Sequence, residues 1–432
     1  MTDSSNSTPA VSVFDLDTMK HPYHVYRTLR DSDPVHFEPL LNVNVVTRYD
    51  LVREAIKDTG TFSSRFDAFL GAGQQMMFDA APDDVKAQLT RIAREMTPTP
   101  PTMLTLDEPE HTQFRSLVSQ LFTASQIKKS ESAVAATIEA AIAAFVDGPR
   151  TVDFMRVFAF PVPLRIISER LGIPDDDREF FYAAATSAAG ALRLSPMTPE
   201  AMVQRAQLAL DLQRLLVRLI EARRAQPRDD MITILATSRL EEADRPLTHG
   251  ECLSILNQFL VAGHETTTSA FGWGMLLLAR NPELQQRIRG NPARIRTFVE
   301  ETLRLESPVQ GLPRLVTKDT HLGGCPLRAG SMIMLNYGAA NRDERQFDRP
   351  DMVDIERPKA GMQLAFGSGV HHCIGAPLAR QELNLGFAAL LDRMCDISLS
   401  KTHPEPEAEP SFILRNVPEL HIEFAPRTTT RP

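Results

Sequence analysis

The sequence predicts a mainly α-helical protein with a smaller β region, an α+β fold. Three observations predict it. Apolar residues recur at helical spacing over long stretches, from Pro109 to Val146, Asp176 to Leu192, Pro199 to Ala225 and Thr248 to Arg280. Shorter alternating segments near 35–48 and 312–336 read as sheet, with Gly323-Gly324 and Ala329-Gly330 as turns. At 432 residues and 43% hydrophobic content, the chain has enough apolar surface to bury a large core.

In chain order, about ten polar residues form a tail expected to be disordered. His21 to Arg30 reads as a short helix, Val43 to Thr47 as a strand, and Asp50 opens a further helix. The segment between Phe62-Ser63-Ser64 and Asp107 carries Phe66, Phe69, Met76, Met77 and Phe78, then a helix from Asp83 to Met96. Those apolar residues suit either a binding pocket or ordinary core. Leu194-Ser195-Pro196 separates the two amphipathic helices that follow. Thr248-His249-Gly250-Glu251 has capping-box spacing and starts a helix of about 45–50 Å that Asn281-Pro282 ends. Asn291-Pro292 and Ser307-Pro308 bound another helix, and the alternation in Glu419 to Phe424 follows a Pro- and Glu-rich stretch.

Composition narrows the function. A formal net charge of −8 gives no general footprint for nucleic acid or anionic membrane. Cys252, Cys325, Cys373 and Cys395 are scattered, which suggests neither a zinc cluster nor a disulfide framework and fits a reducing compartment. The polar start lacks the regions of a signal peptide, and no run reaches the length of a membrane span. A soluble cytoplasmic protein with no membrane insertion is expected.

Three constellations carry chemistry. In Phe366-Gly367-Ser368-Gly369-Val370-His371-His372-Cys373-Ile374-Gly375-Ala376, a cysteine sits in a glycine-rich loop that opens a helix. Helix-terminal N–H groups there favour an anionic sulfur and a bound metal. Cys373 could also be a small buried hydrophobe, or a nucleophile beside His371 or His372. In the long helix, Ala262-Gly263-His264-Glu265-Thr266-Thr267 places small and polar residues where a core helix offers leucines. Glycine costs about 1 kcal/mol relative to alanine in a helix interior, so space or a widened turn is expected at Gly263. A helix crossing with Glu265 in a buried ion pair also fits. Finally, Glu301 and Arg304 share one helix face, as do His111 and Arg115. Each pair would by itself suit a solvated surface.

The cysteine loop resembles the haem-binding loop of the cytochrome P-450 monooxygenases, in its order of aromatic, two residues, glycine, three residues, cysteine, one residue, glycine. Ala262 to Thr267 is similar to the acid-alcohol segment of the same family, and Glu301-x-x-Arg304 to its Glu-x-x-Arg motif. The resemblance extends over nearly the whole chain and implies one domain, 1–432, with haem b between the long helix and the cysteine-loop helix. It implies Cys373 as the iron ligand, and Phe366, Gly367 and Gly375 around the cofactor. His111, Arg115, Arg314 and His371 would cradle the haem propionates. Ala262 and Gly263 would leave room for dioxygen, Thr266 would steady bound oxygen, and Glu265 would deliver protons. His264 gets no catalytic role, and Thr267 and Thr268 are assigned to packing. Glu301, Arg304 and Arg357 would form a buried structural network. Phe259, Val261, Val309, Leu312, Phe412 and Ile413 are the candidate pocket residues.

Such an enzyme of the soluble bacterial type would oxidise a hydrophobic small molecule with dioxygen. The sequence offers no flavin or iron–sulfur module, so electrons are expected from a ferredoxin and ferredoxin reductase, with NAD(P)H acting only indirectly. A peroxide-driven peroxygenase and a noncatalytic haem-binding sensor or carrier are the alternatives. The segment from 65 to 105 is longer than in compact bacterial members, which puts transfer of any relative's substrate in doubt.

Overall fold

The computed structural model describes residues 12–189, 197–240, 243–411 and 413–427. The expected N-terminal tail up to residue 10, the turn Leu194-Ser195-Pro196 and Phe412 lie outside the described residues.

One helix organises the fold, His249–Ala279, 31 residues long. Its start is fixed chemically: the Thr248 side chain accepts from the Glu251 N–H, and the Glu251 carboxylate accepts from the Thr248 N–H at 2.8 Å. The N-terminal half packs in an apolar cluster containing Cys252, Leu253, Leu256, Phe259 and Leu260, together with Leu164, Ile167, Phe181 and Leu216. The C-terminal half packs in a second cluster, where Ala270, Phe271 and Trp273 meet Phe158, Phe298 and Phe387. The stretch between, Val261 to Ser269, belongs to neither cluster. Apolar packing therefore dominates both ends of this helix, while its middle is polar.

Helix Pro161–Leu171 packs on the central helix, with Ile167 set against Gly263. A Cβ there would lie 2.9 Å from Ile167 Cγ1. The helix is α-helical throughout, which corrects the expected widened turn. Gly263 serves the close contact with Ile167 instead. A π-helical turn does occur, at Met155–Ala159 leading into helix Pro161–Leu171, which the sequence did not indicate.

The principal sheet has five strands in the spatial order Val35–Glu38, Val43–Val46, Met332–Asn336, Gly311–Val316 and Phe62–Ser63. Only the pairing of Val43–Val46 with Met332–Asn336 is parallel. Gly323 and Gly324, at φ of 57° and 83°, make the expected turn of the small hairpin Thr320 to Leu327. A three-stranded sheet joins Met394–Leu399, His421–Pro426 and Thr151–Asp153. The helical stretch from Pro109 is two helices, Glu110–Ser119 and Ala124–Ala143, because the Thr123 side chain caps a new start by accepting from Gln126 N–H.

Candidate active site

The cysteine loop precedes helix Ala376–Arg393 and is bent by two glycines, Gly367 and Gly369, at φ of 64° and 68°. Gly375 has an ordinary φ of −81°, so the third glycine is not there for backbone freedom. The Cys373 N–H donates to Phe366 O at 2.9 Å, closing the loop. The backbone N–H groups of Gly375 and Ala376 reach the sulfur. Burial nevertheless outweighs them and the Arg115 and Arg380 charges, and raises the Cys373 thiol above its ordinary pKa. The N–H groups favour the anionic sulfur as expected, but burial exceeds their effect. Cys373 keeps accessible surface in the structure.

Beside the loop, His111 and Arg115 of helix Glu110–Ser119, Arg314 of strand Gly311–Val316 and His371 of the loop itself come together from three elements. The His111 and His371 rings lie 4.2 Å apart. Ser64 Oγ bonds His371 Nε2 at 2.9 Å, and Ser64 is itself held by its N–H donating to Asp107 at 2.8 Å. Arg115 donates to His372 O at 2.6 Å, while buried Arg314 donates to Pro313 O at 3.0 Å. Burial, then Arg314, His111 and Arg115, push the His371 pKa down to about 3. Burial also lowers His111, whose Nδ1 lies 3.4 Å from Glu108. Neither Arg115 nor Arg314 has a carboxylate partner among the described residues. The cluster is cationic, with His111 and Arg314 buried and Arg115 and His371 half-buried, and an anion with two or more acceptor oxygens would satisfy it.

On the central helix, Ala262 is exposed and Thr266 half-buried, whereas Glu265 and His264 are buried. Thr266 Oγ1 donates to Ala262 O at 2.8 Å. His264 Nε2 lies 3.7 Å from Glu265 Oε2, and its Nδ1 contacts Leu260 O at 2.7 Å. Thr267 and Thr268 are also buried.

The third constellation is closed on itself. Glu301 accepts from Arg304 at 2.6 and 2.9 Å and from Arg357 at 2.9 Å, with Glu301 and Arg304 wholly buried. Arg304 also donates to Asn341 O, and Asn341 Oδ1 accepts from Leu364 N–H at 2.6 Å, two residues before Phe366. Sequence reasoning missed the neighbouring pair. Glu300 receives two bonds from Arg380, at 2.6 and 3.1 Å, and the Arg380 guanidinium lies 4.5 Å from the Phe366 ring centre. Arg380 lies on helix Ala376–Arg393, which follows the cysteine loop, but its partner Glu300 is 80 residues away and no local pattern pairs them.

Comparison with known proteins agrees with this geometry. The family model described as Cytochrome P-450 matches residues 179–424. Cytochrome P-450 109 of Bacillus spizizenii is 32% identical, over 93% of this chain and 92% of its own length. The vitamin D(3) 25-hydroxylase of Pseudonocardia autotrophica is 32% identical, over 95% of each. The chain belongs to the cytochrome P-450 family. A solved structure, the cytochrome P-450 CYP109Q5 of Chondromyces apiculatus, superposes with a TM-score of 0.82 at 28% identity, covering 97% of this chain and 99% of its own.

Cytochrome P-450 enzymes are haem-thiolate monooxygenases, and the residues here fit haem b. The Cys373 sulfur, within reach of two N–H groups, would be the iron ligand, and the cationic cluster would suit a pair of propionates. A coordinated iron would hold the thiol deprotonated against the effect of burial. No helix among the described residues is long and apolar enough to cross a membrane.

The pocket residues separate. Phe259 is buried and stacks on Phe122, rings parallel at 5.4 Å, which makes it core rather than pocket wall. Ile413 is likewise buried, its carbonyl accepting from Gln310 N–H at 2.7 Å. Val261, Val309 and Leu312 are half-buried. Gly263 does not open space, because Ile167 fills the position its side chain would take. In the extended segment, Phe66 is buried, Phe69, Met77 and Phe78 are half-buried, and Met76 is 72% exposed on helix Asp67–Ala80. Asp107 ties the end of this excursion to Ser63 and Ser64 at its start.

Proposed function

We propose that this monooxygenase oxidises a small-to-medium hydrophobic organic substrate in the cytoplasm, with electrons from a ferredoxin and its NAD(P)H-dependent reductase. The observation that supports the reading best is the polar middle of the central helix, Val261 to Ser269, flanked on both sides by apolar core. Bound haem supplies the iron chemistry that accepts single electrons and activates dioxygen. The chain's residues do the rest. His111, Arg115, Arg314 and His371 orient the cofactor through its carboxylates. Ala262, exposed on the central helix, would leave room for dioxygen. The Thr266 hydroxyl, now donating to Ala262 O, turns to hydrogen-bond oxygen, and the Glu265 carboxyl exchanges protons at its oxygens. Val261, Val309 and Leu312 exclude water and hold an apolar substrate. The vitamin D(3) hydroxylase among the relatives is consistent with a hydrophobic substrate class.

Lys128 is exposed beside Leu385 of the helix that follows Cys373 and is the proposed contact for an acidic ferredoxin. Lys128→Glu lowers the first electron-transfer rate at low ionic strength, and an unchanged rate rejects this contact.

The decisive experiment combines spectroscopy and turnover. Reduced, carbonylated protein shows the red-shifted thiolate absorption, and Cys373→Ala abolishes it. With a ferredoxin, reductase and NAD(P)H, substrate oxidation consumes dioxygen, and Thr266→Ala diverts most reducing equivalents to peroxide. Oxidation driven by peroxide but never by dioxygen would make the protein a peroxygenase. Ligand binding without oxidation under either condition would make it a sensor or carrier.

A further inference from the structure

The segment Ile413 to Asn416 is fastened to the same face of the central helix that carries Thr266. Thr266, Ser269 and Trp273 are spaced i, i+3 and i+7, hence lie along one side. Trp273 Nε1 donates to Arg415 O at 3.1 Å, and Ser269 Oγ to Asn416 Oδ1 at 3.4 Å. The Arg415 side chain, 5% exposed, returns to the same place. Its guanidinium carbon lies 4.6 Å from the Trp273 ring centre and 4.9 Å from that of Tyr23. Its Nε donates to Glu306 Oε2 at 2.5 Å, an oxygen that Tyr23 also reaches at 2.8 Å. Arg342 completes the group by donating to Glu306 Oε1 at 3.0 Å.

The backbone of this segment holds a second element. Arg415 N–H donates to Pro308 O at 2.9 Å, Leu414 bridges Val309, and Gln310 N–H donates to Ile413 O. Pro308 to Gln310 leads directly into strand Gly311–Val316, which carries Leu312 and Arg314. A single arginine therefore connects the central helix, the end of helix Ile295–Leu305, the first turn of helix Tyr23–Ser32 and the start of that strand.

We propose that Arg415 is a positioning residue that sets the distance between the helix at Thr266 and the wall begun by Val309 and Leu312, and so limits the bulk of ligand admitted. The proposal rests on the reading above that Val309 and Leu312 border the substrate space. A planar fork held between two aromatic rings and a carboxylate has one geometry, whereas lysine at the same place keeps the charge and loses that constraint.

The test uses the haem-loaded full-length enzyme and spectral titration with imidazole and with a bulky diaryl azole. Arg415→Lys leaves the imidazole dissociation constant within about twofold of wild type and tightens the bulky azole by about tenfold. Trp273→Phe, which removes the N–H donor to Arg415 O while keeping an aromatic ring, moves the bulky azole the same way and carries the test if Arg415→Lys does not fold. Both variants binding both azoles as wild type does, or shifting both equally, overturns the proposal. Failure of the functional reading looks different: wild type itself would lack the thiolate absorption of its reduced carbonyl complex.

Discussion

Two clusters of charge near the cysteine loop both rely on arginine but serve opposite ends. In one, Glu301 is shared by Arg304 and Arg357, and the remaining guanidinium N–H groups end on carbonyls such as Asn341, Pro350 and Met352. In the other, Arg115, Arg314, His111 and His371 gather, and among the described residues the carboxylate paired with them is Glu108 on His111, its side chain 42% exposed. The first is complete in itself and holds backbone. The second keeps its histidines neutral and presents cations to an anionic partner, which is what a site for carboxylates requires. Completeness of the hydrogen bonding, rather than burial, distinguishes structure from recognition here.

Removing one partner is the strongest way to break the contrast. Glu301→Gln leaves Arg304 and Arg357 buried without a counter-charge and destabilises the apoprotein by about 3–5 kcal/mol in denaturant titration. A loss below about 1 kcal/mol would show that the network is not structural.

Glu382 tests a buried charge lacking such a network. It is 1% exposed, and one of its carboxyl oxygens is buried without a hydrogen-bond partner among the described residues. Burial raises its pKa well above the carboxylate range, with Arg170 opposing. The folded state then keeps a proton that the unfolded chain releases. Its contribution to stability is full below the ordinary glutamate pKa and is lost as pH rises toward the folded value, with a slope of up to about 1.4 kcal/mol per pH unit. Glu382→Gln removes that slope and stabilises the protein at neutral and alkaline pH. Parallel stability–pH curves for the two proteins would refute this.

Arg314→Gln belongs to the open cluster and has the reverse profile of Glu301→Gln. The apoprotein changes by less than about 1 kcal/mol because a cation is removed from among like charges. Haem transfer to an acceptor apoprotein accelerates by about tenfold or more, since a charge-assisted bond to a propionate is lost. Equal losses of apoprotein stability in the two variants would erase the distinction. The smallest effect belongs to surface pairs such as Arg165–Glu169, 2.9 Å apart and largely solvated, where Glu169→Gln costs about 0.5 kcal/mol or less in the same titration.

Much of this was legible in the chain. Helices Asp83–Glu95, Pro199–Ala225 and His249–Ala279 begin and end where their caps and prolines indicate, because those signals are local. Helix Asp67–Ala80 gave no amphipathic pattern, since none of its described side chains is buried. In the site, Cys373 stood out through its glycines, but the Glu300–Arg380 pair and the Ser64 contact to His371 did not. Their partners are 80 and 307 residues apart. Phe259 shows the same limit. Its place on the central helix was right, yet which way its ring turned depended on Phe122 from another helix.

By itself, the sequence determined the helical framework, the cysteine loop and the polar break in the central helix, because capping, glycine conformations and side-chain periodicity act over a few residues. Only the tertiary structure decided that Gly263 serves a close helix contact, that burial outweighs N–H donors at the thiol, and that Arg415 joins distant segments. Each of those outcomes depends on what long-range packing brings within a few ångströms, and on how much water that packing removes.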